Sequence, residues 1–529
     1  MLNTEQALAV NCRERKILCL AGAGTGKSYT LLSRISRLVS EGVNPGQILA
    51  LTFTNAAAAE MKHRYVRDNP ETICPEFRTF HGFCYHLLAI NPSIRKHLGY
   101  TELPTIASDT LINQIDLEVK SSCGIKLSNS QIADPTKLNM KDKFQYDLYL
   151  KAKDKVLKSR NLITFDILCY TICDMFVKDN ELVQKYKKKY KYIFVDEFQD
   201  TDKRQYDFVK SFSDSDLFIV GDALQAIYAF RGADSSIIKA LSTDPEWYTV
   251  KLYQNYRSTS QICEFANATS KYADPDYRIA IASNSQGDEV QERKMSSNYM
   301  QDMLNLAASA SGSLAILVRT NSEVADICSQ LSKHGISYDT SNKPMDYKSI
   351  LMSAIDSDYM YSWLSSLLDK ATALELLRVV SVKSAEAAQS ASEFDKLEYL
   401  LTTYQNKPAI RNNANTVNAV KDILYDDSRM TFQKCADILQ LFRIPPQIIV
   451  QSDMSSPQEL VDYLMEVIDN VPTQFIYVGT IHSSKGLEYD SVVLLGVNGT
   501  SFKLYGEDNL NLYYVGITRA KSHLYIYSN

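Results

Sequence analysis

The chain has 529 residues, too many for one hydrophobic core, so three or four packed units are expected. Apolar residues make up 45% and charged residues 22%, the balance of an ordinary soluble globular protein, and no run of about 18 apolar residues is present to span a membrane. The net charge of −5 gives no bulk attraction for a polyanion, so any nucleic-acid site has to be a local groove.

The opening residues, Met1 to Gln6, lack the basic and apolar regions of a signal peptide. Lys16–Leu20 and Ile48–Phe53 read as buried strands, each followed by a polar turn and a helical period. From Tyr85 to Arg160 the pattern is helical and rich in Lys, Leu, Asp and Tyr. Cys169 and Cys173, the only close pair among ten scattered cysteines, lie four apart in a helical pattern and read as small buried hydrophobes. The scatter fits a reducing, intracellular compartment. The basic run Lys185 to Lys191 reads as a solvated approach to the next strand, Tyr192–Val195, and Leu217–Val220 follows as another. A second set of strands begins at Leu314–Val318 and returns at Tyr477–Ile481, Ser491–Leu495 and Leu524–Tyr527. Between them, roughly from Asn342 to Val471 and bounded by Pro344 and Pro472, lies a mainly helical stretch. Strands alternating with helices predict parallel sheets covered by helices, in two α/β lobes carrying two helical insertions.

Chemistry concentrates at two strand ends. Ala21-Gly22-Ala23-Gly24-Thr25-Gly26-Lys27-Ser28 sits between a strand and a helix. Glycines there let successive backbone N–H groups face a phosphate chain, and the helix N-terminus adds partial positive charge. Lys27 can reach the terminal phosphates, and the Ser28 hydroxyl can ligate Mg²⁺. Ala21 stands where the strict pattern has Gly. Tyr192–Val195 delivers Asp196 and Glu197 at its carboxyl end: Asp196 to hold the metal, Glu197 to orient and deprotonate an attacking water.

With this pair placed, the order of motifs becomes informative. Asp196-Glu197-Phe198-Gln199-Asp200-Thr201 resembles motif II of the UvrD/Rep/PcrA-type superfamily 1A DNA helicases. Leu51 to Met61 resembles their motif Ia, and Thr79-Phe80-His81-Gly82 their motif Ib. Val220 to Ala233 is similar to motif III, and Gln254-Asn255-Tyr256-Arg257-Ser258 to motif IV. Thr480 to Tyr489 is similar to motif V, and Tyr514 to Ala520 to motif VI.

The resemblance implies two RecA-like P-loop NTPase domains, the first in residues 1–84 and 161–265, the second in 266–341 and 472–529. Residues 85–160 would be one helical insertion and 342–471 a reduced second one. By the same resemblance, ATP and Mg²⁺ are the cofactors. Gln6 would read the adenine edge and Tyr256 stack on its ring. Arg257 and Arg519 would neutralise the γ-phosphate, Gln225 would sense it, and Glu488 would contact the ribose. Phe53, Asn55, Thr79, His81, Tyr228, Phe230 and Arg231 would touch the strand from the first lobe, and His482 and Lys485 would grip it from the second. Taken singly, Phe53 and Tyr228 read as core aromatics and His81 and His482 as helix-end histidines; the ordered set of motifs favours strand contact.

The implied activity is an ATP-driven 3′–5′ helicase or translocase on single-stranded or 3′-tailed DNA, in repair, replication or recombination. The protein would be a cytoplasmic monomer without DNA, in a bacterial nucleoid or a phage-infected host, beside a replication, repair or nuclease partner. The alternatives are an RNA-directed superfamily 1 helicase and an ATP-gated DNA-binding subunit of a nuclease. The sequence departs from the family at Tyr29, Ala226, Phe230 and Asn509–Asn511, and it ends ten residues after Arg519. ATP hydrolysis and translocation are therefore expected more firmly than processive unwinding.

Overall fold

The structure, a computed structural model, describes residues 2–128, 131–132, 138–271, 286–296, 298–310, 312–336, 338–340 and 475–529. The expected insertion at 342–471, with Pro344 and Pro472, lies outside them. The chain divides into two compact units: Met1–Tyr299 with Leu317–Thr320 and Thr480–Asn529, and Met300–Ile316 with Asn321–Gly479.

The first unit holds a six-stranded sheet built from β1 (Lys16–Ala21), β2 (Ile48–Thr52), β3 (Glu76–Thr79), β6 (Tyr192–Val195), β7 (Asp216–Gly221) and β8 (Tyr248–Leu252). Their order is β3-β2-β6-β7-β1-β8, and every neighbouring pair is parallel. Side chains alternate between two apolar layers, as a period of two requires when both faces are covered. Leu18, Leu49, Leu51, Ile193, Val195, Leu217 and Ile219 enter one layer. Ile17, Cys19, Ile48, Ala50, Phe194, Phe218 and Val220 enter the other, with Leu31, Ile35 and Met61 from the helices Lys27–Ser40 and Asn55–Asp68. This is why the strands carry near-continuous apolar runs.

The first layer is filled by the helices Phe80–Ile90, Phe165–Val177 and Lys203–Lys210. Phe176 lies at its centre, 4.9 Å from Phe208 and 5.3 Å from Phe212 between ring centroids. Within residues 85–160, the helices Asp109–Cys123 and Met140–Ser159 build a small core around Ile115, Val119, Tyr149 and Leu157. The two-stranded pairing of β4 (Thr105–Ile106) with β5 (Leu162–Ile163) ties the two ends of that segment together.

The same unit also contains β9 (Gln291–Lys294), β12 (Tyr489–Val497) and β13 (Ala520–Ser528), with β13 parallel to both others. The helix Glu507–Ile517 is buried from Asn511 to Ile517, and it closes on β12 through Gly516, where an added Cβ would meet Leu494 at 2.9 Å. In the second unit, β11 (Phe475–Thr480) follows β10 (Ser313–Val318) in chain order, and Asp339 bonds to Ile476 and Val478. No helix among the described residues is long and apolar enough to cross a membrane. The chain is thus a mixed α/β protein with parallel strands, as the alternating pattern predicts.

Phe176 is fully buried, so Phe176→Ala should cost about 3–5 kcal/mol of unfolding free energy in a denaturant titration.

Candidate nucleotide and nucleic-acid site

At the carboxyl end of β1 the chain turns through Gly24 (φ +72°) and Gly26 (φ +82°) before the helix at Lys27 begins. Both glycines are required by backbone geometry and by space. A Cβ on Gly24 would lie 2.8 Å from the side chains of Asn255 and Arg257, and one on Gly26 would lie 2.8 Å from Gln6 Nε2. The loop is held from three sides. Asn255 Nδ2 donates to the Ala23 carbonyl at 2.9 Å, the Tyr256 N–H donates to Gly24 O at 2.8 Å, and Gln6 Nε2 donates to Thr25 O at 3.0 Å. Lys27 Nζ donates to Ala21 O at 3.4 Å.

β6 delivers the acidic pair beside this loop. Ser28 Oγ donates to Asp196 Oδ2 at 2.8 Å, so the hydroxyl and carboxylate expected to share a metal already touch. An oxygen-only donor set of this kind fits Mg²⁺. Burial pushes the Asp196 carboxyl up to about 6, reinforced by Glu197, while Ser28 and Lys27 oppose the shift. Burial also works against ionising Glu197, yet Lys27, Lys485, the Gln199 amide and Arg519 together hold that carboxyl below its usual value. One carboxylate of the pair is therefore kept charged and the other is poised to take a cation. Glu197 sits at φ +50°, a left-handed conformation that costs a non-glycine residue roughly 1–3 kcal/mol and recurs at functional sites.

Arg519 is 1% exposed and donates to Val515 O, Leu487 O and Thr518 Oγ1. Burial and Arg257 both work against its charge, and Glu197 favours it. Arg257 pairs with Glu488 at 2.7 Å and donates to Thr518 O at 3.1 Å. Glu488 also meets Lys521 at 3.1 Å, so the residue expected at the ribose is engaged by two cations. Tyr256 is half exposed, and its hydroxyl accepts from Asn3 Nδ2 at 2.8 Å. Gln6 is 2% exposed; besides bonding Thr25 O, it accepts from the Asn3 N–H at 3.1 Å as part of a helix capping box. Its amide thus braces the loop.

The strand-binding candidates divide. Phe53 and Tyr228 stack at 5.2 Å and 16°, Tyr228 meets Phe230 edge-on at 6.0 Å, and Phe230 meets His482 at 5.6 Å. Phe230 is 70% exposed, and together these rings form an aromatic ledge. Arg231's side chain lies outside the described ones. Asn55 opens the helix Asn55–Asp68.

Three further candidates have partners within the protein. Thr79 is buried; its hydroxyl caps the helix Phe80–Ile90 by accepting from the Gly82 N–H at 2.9 Å and donates to Asn55 Oδ1 at 3.4 Å, so it joins another strand-binding candidate. His81 packs edge-on against Phe165 at 5.5 Å. Lys485, expected to grip the backbone, points inward. Its ammonium donates to both oxygens of Asp200 at 2.7 and 2.6 Å and to Gln225 O at 2.6 Å, using all three donors.

Sequence reasoning assigned no role to Gln199 or Asp200, although both lie inside the quoted motif. Gln199 Nε2 donates to Glu197 Oε2 while its Oε1 accepts from the Asp222 N–H at 2.9 Å. Asp222 in turn accepts from Gln225 Nε2 at 2.6 Å. Lys485 lies 5.0 Å above the Tyr228 ring. A continuous path of contacts thus runs from Glu197 through Gln199, Asp222, Gln225 and Lys485 to the aromatic ledge. Asn511, a departure from the family pattern, donates its Nδ2 hydrogen to Ala226 O at 3.1 Å and secures the same loop.

The UvrD/Rep helicase N-terminal domain model matches residues 2–97 and 112–246, and the UvrD-like helicase C-terminal domain model matches residues 475–527. Together they take in more than half of the chain. The chain belongs to the UvrD/Rep helicase family. Among similar proteins, one named ATP-dependent DNA helicase PcrA from Staphylococcus epidermidis is 28% identical across 99% of this chain and 83% of its own length. Proteins of the same name from Bacillus subtilis and Leuconostoc citreum are 28% and 27% identical, each across 99% of this chain and 82% and 81% of their own lengths. The matched segments of this UvrD/Rep-type chain contain every residue of the path from Glu197 to Tyr228.

Removing Lys485 would strand a buried carboxylate. Lys485→Ala should therefore lose about 3–5 kcal/mol of stability in urea. Unchanged stability with a DNA-binding salt slope reduced by about one would instead place this lysine on the strand. Burial pushes Asp200 up to about 7, against the pull of Lys485. As pH falls through that value the carboxyl takes a proton and its hold on Lys485 weakens. Nucleic-acid-stimulated ATP hydrolysis should fall along that limb, and Asp200→Asn should flatten it in a pH–rate profile.

Proposed function

We propose that this chain is an ATP-dependent DNA helicase, a motor moving 3′ to 5′ on single-stranded DNA by opening and closing two RecA-like halves. The observation that carries this function is the joining of the phosphate loop, the acidic pair and the aromatic ledge by one path of hydrogen bonds ending in a cation–ring contact, within a single compact unit. The names of the similar proteins support the ATP and DNA requirements.

The turn from Gly22 to Gly26 and Lys27 would bind the phosphates, with the helix N-terminus favouring their charge. Glu197, kept ionised by Lys27, Lys485 and Arg519, would orient the attacking water and accept its proton. Ser28 and Asp196 would hold Mg²⁺, which when bound supplies charge neutralisation at the phosphates. Arg257 and Arg519 would exchange their present carbonyl and carboxylate partners for the γ-phosphate, and Gln225 would register its presence. Bases would stack on the ledge of Phe53, Tyr228 and Phe230, at roughly 1–3 kcal/mol per base without sequence preference. Work in DNA repair or replication is consistent with such an activity.

Lys27→Ala should abolish DNA-stimulated ATP hydrolysis, and full activity in that variant would refute the site. Strand displacement should succeed on 3′-tailed duplexes and fail on 5′-tailed and blunt ones. Stimulation by RNA over DNA would make the chain an RNA-directed motor. Tight ATP-dependent DNA binding with little turnover would make it a clamp.

A further inference from the structure

Away from the nucleotide site, three cysteines meet in the apolar layer beneath β2 and β6. Cys84 comes from the helix Phe80–Ile90, and Cys169 and Cys173 from the helix Phe165–Val177. The four-residue spacing puts the latter two on one helical face, turned toward the first helix. The three sulfurs lie within 4.8 Å of one another, and Cys169 Sγ is 3.9 Å from Cys173 Sγ. All three are at most 2% exposed, and none is in a disulfide.

We propose that Cys84, Cys169 and Cys173 form a binding site for one thiophilic divalent metal ion, with zinc the best match. Geometry supports this first. A Zn–S distance of about 2.3 Å at tetrahedral angles places sulfurs roughly 3.8 Å apart, close to the 3.9 Å between Cys169 and Cys173 and inside the 4.8 Å that bounds all three. The donor set supports it second. Sulfur ligands select zinc or copper(I) and reject Mg²⁺ and Ca²⁺, so this site does not compete with the oxygen pair Ser28–Asp196 for its ion. Charge decides between the two soft ions. Three thiolates around zinc leave one net negative charge, whereas around copper(I) they leave two, and an apolar surrounding that includes Phe83 and Phe176 favours the smaller residue of charge.

Binding would release the thiol protons to solvent as the three S–metal bonds form. The ion would fasten the two helices just below Thr79, Phe80 and His81, where His81 already leans on Phe165 of the second helix. Its place in the molecule is that of a staple under the expected strand-binding edge.

The test uses the full chain purified under anaerobic, reducing conditions, stripped of metal and titrated with Co²⁺ as a spectroscopic stand-in for zinc. A thiolate-to-cobalt charge-transfer band that saturates at about one equivalent and disappears on adding Zn²⁺ is expected. The band should be lost in Cys84→Ala and Cys169→Ala and kept in Cys263→Ala, which removes a buried cysteine elsewhere. Because a core variant can fail to fold, zinc-edge X-ray absorption of the wild-type protein is measured as well and should show three sulfurs at about 2.3 Å. Absence of the band, its survival in both cluster variants, or a zinc shell with fewer than three sulfurs would overturn the site.

Discussion

One buried ammonium group organises the functional half of this molecule. Lys485 stands 285 residues from Asp200 and 260 from Gln225 in sequence, yet it bonds to both with side chains only 6% and 2% exposed across the ion pair. An isolated charge at that depth would cost several kcal/mol, so the pair is tolerated only because each partner satisfies the other. The consequence is positional. The turn carrying Gln225 and the aromatic ring of Tyr228 are fixed relative to the segment after β6 that carries Glu197. Asn511, bonded to Ala223 and Ala226, fixes the same turn from the helix Glu507–Ile517.

Much of this is legible in the sequence. The strands at 192–195, 48–53 and 16–20 are apolar on both faces, and a chain that buries both faces of a strand writes it as an unbroken hydrophobic run. The phosphate loop was legible because positive φ at Gly24 and Gly26 leaves almost no alternative residue there. Less legible were β3 and β9. Glu-Phe-Arg-Thr and Gln-Glu-Arg-Lys are polar edge strands, and edge strands need not be apolar on either face.

Side-chain partners were the least legible, for a different physical reason. Lys485, Thr79 and Gln199 each carry groups that serve equally well outward, to a ligand, or inward, to a buried acceptor. Residue type and motif position do not distinguish those directions; only the geometry of neighbours distant in sequence does. Thr79 turns inward because the first turn of the next helix has an N–H to satisfy, and Lys485 because Asp200 is already buried. The cysteines show the same limit. Cys169 and Cys173 were visible as a helical pair, but Cys84 joins them only through the packing of a second helix.

The strained backbone at Glu197 ties these points to the acidic pair. A left-handed glutamate persists only if its surroundings over-determine it, and here its own N–H is bonded to Asp196 Oδ1 at 3.0 Å while its carboxylate is held by Gln199. Gln199 offers one amide to two masters, Glu197 at the acidic pair and Asp222 at the turn before Gln225. If a nucleotide claims Glu197, Gln225 or Arg519, the partner left behind is buried and has to find another, because an unsatisfied buried polar group costs roughly 1–3 kcal/mol. Exchange of partners at one end is therefore felt along the path as far as Lys485 and the ring of Tyr228 beneath it. A contiguous set of mutually dependent bonds is a physical form through which two ends of a site can be coupled.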